Sequence, residues 1–292
     1  MAYGDIPSHV ISKLSAERFR MFHALWHFVR NEAQWTALRD GEPQQHGELV
    51  RQGWTPPRFE GAPGAGMDFL FMHSMMIDMV NQWGQEGASP PNTHNSTESH
   101  HPLKATVVPW LDIPWDHQDP VWPMPEVDVA SNSEWPPIFG RSKDQATTDF
   151  YQQRVMQEFA NRAWLRRQSL DAFGTLLERT IHGWFHMHWS TEPPNQPNSL
   201  DPQNDWLGSP FSSHVNRHFW KLHGWIDNRI RAWADARGEE ADISSGWGGP
   251  QDFVTGEPHS ADPQLFNLLK FQDRPILLMP WKDLLLEQEV PA

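Results

Sequence analysis

Sixteen histidines and no cysteine stand in this chain, so any coordination chemistry it performs is built on nitrogen or oxygen. Neutral imidazole is a borderline ligand that suits copper, zinc, nickel and iron. The missing thiol excludes disulfides, iron–sulfur clusters, thiolate zinc sites, blue copper sites and cysteine nucleophiles together. His23/His27 and His182/His186 are each four residues apart. On a helix such residues share a face with Cβ atoms roughly 6 Å apart, so two rings can converge on one ion. His214/His218 has the same spacing. With histidine this frequent, about one such pair is expected from composition alone, so surroundings weigh more than spacing. Two of the pairs sit in FHALWHF and IHGWFHMHW, where a free imidazole is poorly solvated and a ligating one is satisfied.

These side chains need rigid elements to aim them. Residues 15–40 contain no Pro or Gly and open on Ser15 at an N-cap position, which predicts one long helix. Gly and Pro punctuate 41–66, and Met67 to Trp83 (MDFLFMHSMMIDMVNQW) reads as a helix buried on most sides. From 84 to 141 the chain is crowded with Pro, Asn, Ser and Trp and keeps no period, an insertion expected to wrap the bundle or shape a cavity mouth. Residues 142–189 read as two helices breaking near 169–174, and 213–237 as one more. The tail, 246–292, holds the apolar stretches LFNLLKF and PILLMPWKDLLL, expected to pack on the outside of the bundle or over the site. The predicted fold is mainly α: one domain over 1–292, a helical bundle with long irregular Pro/Trp-rich loops. Each half carries one helix with paired histidines and another with a single one.

Composition narrows the partners. An apolar fraction of 38% is enough to bury a core in 292 residues, and a net charge of -14 without a Lys/Arg run argues against a nucleic-acid or anionic-membrane partner. No apolar run approaches ~18 residues and the opening residues lack a secretory pattern, so the expectation is a soluble chain, cytoplasmic or of undeclared compartment. Seventeen tryptophans against two tyrosines suit water-excluding walls; Trp26, Trp184, Trp189, Trp220 and Trp225 are candidates to stack on an aromatic ligand, and equally ordinary core residues.

Three stretches carry a family resemblance. GMDFLFMHSMM, 66–76, resembles the hemocyanin helix that brings the third histidine to the first copper, and by that match His73 joins His23 and His27. FWKLHGWIDNRI, 219–230, resembles the closing helix of the second copper site in hemocyanins and tyrosinases, with an aromatic pair before the ligand His223 and Asp227 one turn beyond it. IHGWFHMHW supplies His182 and His186, and Ser209-Pro210 stands ahead of the last helix as a Pro-containing turn often does in tyrosinases. The chain thus resembles the type 3 copper proteins: tyrosinases, catechol oxidases and hemocyanins.

The resemblance implies two copper ions held by His23, His27, His73 and by His182, His186, His223, with dioxygen bound between them. It implies a copper monooxygenase or oxidase that oxidises, or ortho-hydroxylates, a phenol, catechol or aminophenol. A copper-delivery partner, required by some bacterial tyrosinases, belongs to the same expectation. Asp227 is expected to hold its helix through hydrogen bonds, and Glu178, Asp78 or a metal-bound water to act as base. The chain departs from the family's pattern in places. His46 lies within the long interval from His27 to His73 and is an alternative to His23 or His27. Gly183 stands where many tyrosinases have an Asn that orients a deprotonating water, and the thioether some tyrosinases form with a site histidine has no cysteine to make it. His188, His214 and His218 remain as partners of ligands, cavity walls or surface residues. Two other readings stay open: a non-catalytic oxygen- or copper-binding protein of this fold, and a zinc or di-iron bundle enzyme using carboxylates as well.

Overall fold

The computed structural model describes residues 6–86, 113, 145–188, 213–215 and 217–250. Of these, 75% are helical and none is in a strand, so the fold is mainly α. No described helix is long and apolar enough to cross a membrane. In chain order the helices are α1 (Ser8–Leu14), α2 (Glu17–Arg30), α3 (Glu32–Gly41), α4 (Pro43–Arg51), α5 (Ala65–Glu86), α6 (Gln145–Arg154), α7 (Arg162–Leu165), α8 (Leu170–Leu176), α9 (Gly183–His188) and α10 (Arg217–Arg237). Wide π turns at Val155–Phe159 and Leu177–His182 follow α6 and α8, so 170–188 is one rod, and a 3₁₀ turn at Ser213–Val215 precedes α10.

Capping explains where the boundaries differ from expectation. The helix foreseen over 15–40 is two, because Asn31 is extended (φ -80, ψ 107) and its side-chain oxygen accepts the Gln34 amide at 3.0 Å, starting α3 afresh. Ser15 does not open α2 but closes α1, its hydroxyl donating to the Ile11 carbonyl at 2.7 Å. Within the punctuated stretch 41–66, Pro43 starts α4 in the first turn, where its missing N–H matters least. The break foreseen near 169–174 falls at Ser169, which caps α8, with Gly174 inside that helix, and a further break precedes α7, capped by Asn161. Residues 84–86 extend α5; the rest of the foreseen insertion, apart from buried Ile113, and the tail beyond 250 lie outside the described residues.

Two glycines set the central crossing. A Cβ on Gly174 would lie 2.3 Å from the Gly66 carbonyl oxygen, and one on Gly66 only 2.0 Å from the Asp171 carbonyl. The backbones of α5 and α8 therefore touch, and the Asp171 carboxylate accepts the amides of Gly64 (2.8 Å) and Gly66 (3.0 Å), capping α5 from its neighbour. Two turns beyond this crossing, α5 presents His73 and the rod of α8 presents His182. α10 lies across both α5 and α7, tied by Trp233 Nε1 to the Gln168 carbonyl (3.0 Å) and Arg166 Nε to the Ala236 carbonyl (3.0 Å). The first residues of the tail fold onto α2 and α5: Trp26 Nε1 donates to the Trp247 carbonyl (3.1 Å), and the Trp247 amide donates to Asp68 (2.6 Å), itself paired with Arg58.

Candidate metal centre

All six histidines of the two expected sets meet at one place in the interior, each at most 5% exposed. α2 supplies His23 and His27, α5 His73, the π turn His182, α9 His186 and α10 His223. A π turn is often found where a side chain must be re-aimed at a functional site, and this one buries Glu178 and His182 together. His27 Nε2 lies 3.0 Å from His23 Nε2, and His186 Nε2 lies 3.0 Å from His182 Nε2 and 3.1 Å from His223 Nε2. The ligand atoms of His23, His27 and His73 fall within 4.8 Å of one another, and so do those of His73, His182 and His223. His73 thus stands between the sets, its ring stacked on His223 at 4.9 Å and 3°.

Ordinary hydrogen bonding does not account for this packing. A ring nitrogen carries one proton or one lone pair, yet His186 Nε2 faces two others of its kind. Two nitrogens each roughly 2.0 Å from one ion, at angles of roughly 90–110°, lie about 2.8–3.3 Å apart; the three contacts fall in that range. Protonation is no alternative, since burial pushes the pKa of His23, His27, His182 and His223 well below the usual imidazole range, and their mutual repulsion as cations pushes it further. For His73 burial lowers it to about 3 although the Phe69 carbonyl works in the opposite direction. These five rings are therefore neutral at pH 7, the form that binds metals. The Nδ1–H of His73 donates to that carbonyl at 2.8 Å, which leaves Nε2, a buried atom without a partner, as the lone-pair nitrogen. The donor set and this orphan fit metal ions held by imidazole alone.

Compared with known families and curated proteins, the chain matches no family model and no curated protein. The site therefore has to be read from its own chemistry.

Beside His27 lies a buried charged group that the sequence reading did not contain as such. Arg30, one turn on from His27 and fully buried, donates to both oxygens of Glu178 (2.5 and 3.1 Å) and to the Ala65 carbonyl (2.9 Å), with its guanidinium 4.0 Å over Trp26. Glu60 joins them, its Oε1 buried without a partner. Burial first, and the neighbouring Glu178 charge second, raise the Glu60 carboxyl above the usual carboxylate range. Ligand atoms of His27, Glu60 and Glu178 also lie within 4.8 Å of one another, but Arg30 already takes both Glu178 oxygens. The signal for Arg30 was legible: a charge three residues after His27 on an apolar helix face demands a buried partner. Glu60, in a turn, gave none.

The remaining candidates fall elsewhere. His46 packs its ring on Trp35 at 4.4 Å, between α3 and α4, away from the cluster. Gly183 is buried helical backbone directly after His182 and brings no polar group there. Asp227 is half-buried, and its charge, after burial itself, raises the Asp78 carboxyl; the bonds that hold α10 include those of Trp220, Trp233, Arg229 and Arg166. Asp78 lines an outer groove between α5 and 240–249 with Phe71 and Met75, and Glu178 is an ion-pair partner instead of a residue at a mouth. Trp26, Trp184, Trp220 and Trp225 are at most 2% exposed and serve as core. His188 is buried with its ring stacked on Trp184. Trp189 and Ser209-Pro210 lie outside the described residues, and His218 is described only as α10 backbone. Among the described residues, His214 is the one further histidine in the cluster, with Nε2 2.8 Å from His23 Nδ1.

Proposed function

We propose that this chain holds two copper ions, one by His23, His27 and His73 and one by His182, His186 and His223, and oxidises a phenol, catechol or aminophenol with dioxygen. The observation that carries the reading is a closed set of neutral, buried imidazoles whose inward nitrogens lie at the separations of ligands on a shared ion. When bound, the copper pair supplies the redox chemistry by which dioxygen takes electrons from the substrate. The protein's own part is to hold and shield. Phe69, Phe219 and Trp26 press against the rings (His73 to Phe69 4.2 Å, His223 to Phe219 4.0 Å, His27 to Trp26 5.0 Å) and keep water from them. The Phe69 carbonyl fixes the proton of His73 on Nδ1, and the absence of a polar side chain at Gly183 favours oxidation over hydroxylation of a monophenol.

Metal content per purified chain, with oxygen uptake on phenols, catechols and aminophenols, tests this. Two coppers and turnover of a catechol are expected. Copper without turnover would make the chain a carrier or store. The nearness of His27, Glu60 and Glu178 favours a second reading, a zinc or iron enzyme with mixed ligands, and two zinc or two iron with no copper would establish that instead.

A further inference from the structure

The structure assigns His214 as the positioning residue of the first histidine set, holding His23 by its outer ring nitrogen. What His23 does rests on the copper reading above; the bond itself does not. His214 is fully buried in the 3₁₀ turn before α10, far along the chain from His23. Its backbone carbonyl accepts Trp220 Nε1–H at 2.6 Å, and Phe19 and Phe219 flank its ring at 5.4 and 4.9 Å. The imidazole therefore cannot turn freely, and its Nε2 is aimed at His23 Nδ1, 2.8 Å away.

Proton placement follows from counting. A neutral imidazole has one N–H and one lone pair. His23 Nε2 faces inward to His27 Nε2, so to offer a lone pair there His23 must carry its proton on Nδ1 and donate it outward. His214 Nε2 is the acceptor, which places the proton of His214 on Nδ1, a buried atom with no partner. His214 is not in either converging group of ligand atoms, and its one inward nitrogen is engaged by His23. Metal-ligating histidines usually donate outward to a carboxylate, a carbonyl or water; a neutral imidazole here adds no charge of its own beside His23. Because Trp220 ties His214 to α10, which also carries His223, this bond links the two sets mechanically.

Two measurements test the assignment. In the metal-free chain labelled with ¹⁵N-histidine, long-range ¹H–¹⁵N correlation is expected to show His23 protonated on Nδ1; protonation on Nε2 would overturn the proposal. Anaerobic titration with Cu(I) against a competing chelator is expected to show one of two copper equivalents weakened by about 10–100-fold in His214→Phe. His214→Gln, whose side-chain oxygen can accept from His23, should recover most of that loss. Both equivalents bound as tightly in His214→Phe as in the unaltered chain would refute the role. If the unaltered chain takes up no copper, the copper reading fails, and the proton position on His23 still decides whether His214 holds it.

Discussion

Position in the cluster ranks the histidines. His73 belongs to both converging groups and has a ring nitrogen with no partner, so His73→Gln is expected to weaken both metal equivalents. His46→Gln, changing a residue stacked on Trp35, is expected to leave both untouched, as metal titration of the two variants would show. That His73 and His223 join the cluster was expected from the resemblance of GMDFLFMHSMM and FWKLHGWIDNRI to copper-site helices, and their ligand atoms do converge with those of the other histidines. Whether His46 belonged was not legible, since histidine type and chain interval say nothing of which way α4 turns. Arg30 makes the sharpest energetic case. Arg30→Met would leave Glu178 buried and uncompensated, a loss of roughly 3–5 kcal/mol in unfolding free energy. Pairing it with Glu178→Leu should recover much of that loss, and urea denaturation of the two variants would show whether it does.

At the scale of elements, the site depends on one close helix contact and on a few caps. Gly174→Ala would drive a methyl to 2.3 Å from the Gly66 carbonyl oxygen, so α5 and α8 must part, and His73 with them from His182, whose ring centroids lie 5.1 Å apart. A loss of about 1–3 kcal/mol or more is expected, and metal affinity should fall further than at Asn31→Ala, where only a cap worth about 1 kcal/mol is removed; thermal melts with metal titrations compare the two. The helices carrying His23, His27, His73 and His223 could be read from sequence because long apolar periods dominate there. Helix boundaries could not, since Asn31 and Asn161 act through only one or two side-chain bonds to backbone amides. The Gly66/Gly174 contact was invisible for a related reason: a glycine in a helix looks like a weakness until the partner backbone is beside it.

For the molecule as a whole, the buried histidines dominate the response to pH. In the metal-free chain His73 and His214 have pKa values lowered to about 3, chiefly by burial, and those of His23, His27, His182 and His223 lie well below the ordinary value of 6.5. The unfolded chain therefore binds protons between pH 6.5 and about 3 that the folded chain refuses. Stability present above pH 6.5 is lost progressively as pH falls through that window. Glu60 acts in the other direction: its raised carboxyl keeps a proton that the unfolded chain releases, so its contribution is lost as pH rises above the usual carboxylate range. Glu178 and Asp78, raised chiefly by burial, act as Glu60 does; the lowered histidines outnumber these carboxyls, so the acid side should be the steeper. Urea midpoints measured from pH 8 down to pH 4 are expected to fall sharply below 6.5 without metal. They should fall at lower pH once copper is bound, because the ion and the protons compete for the same ring nitrogens. A metal-free chain whose midpoint does not change between pH 7 and pH 5 would mean that the histidines are hydrated, and the closed imidazole cluster would then be wrong.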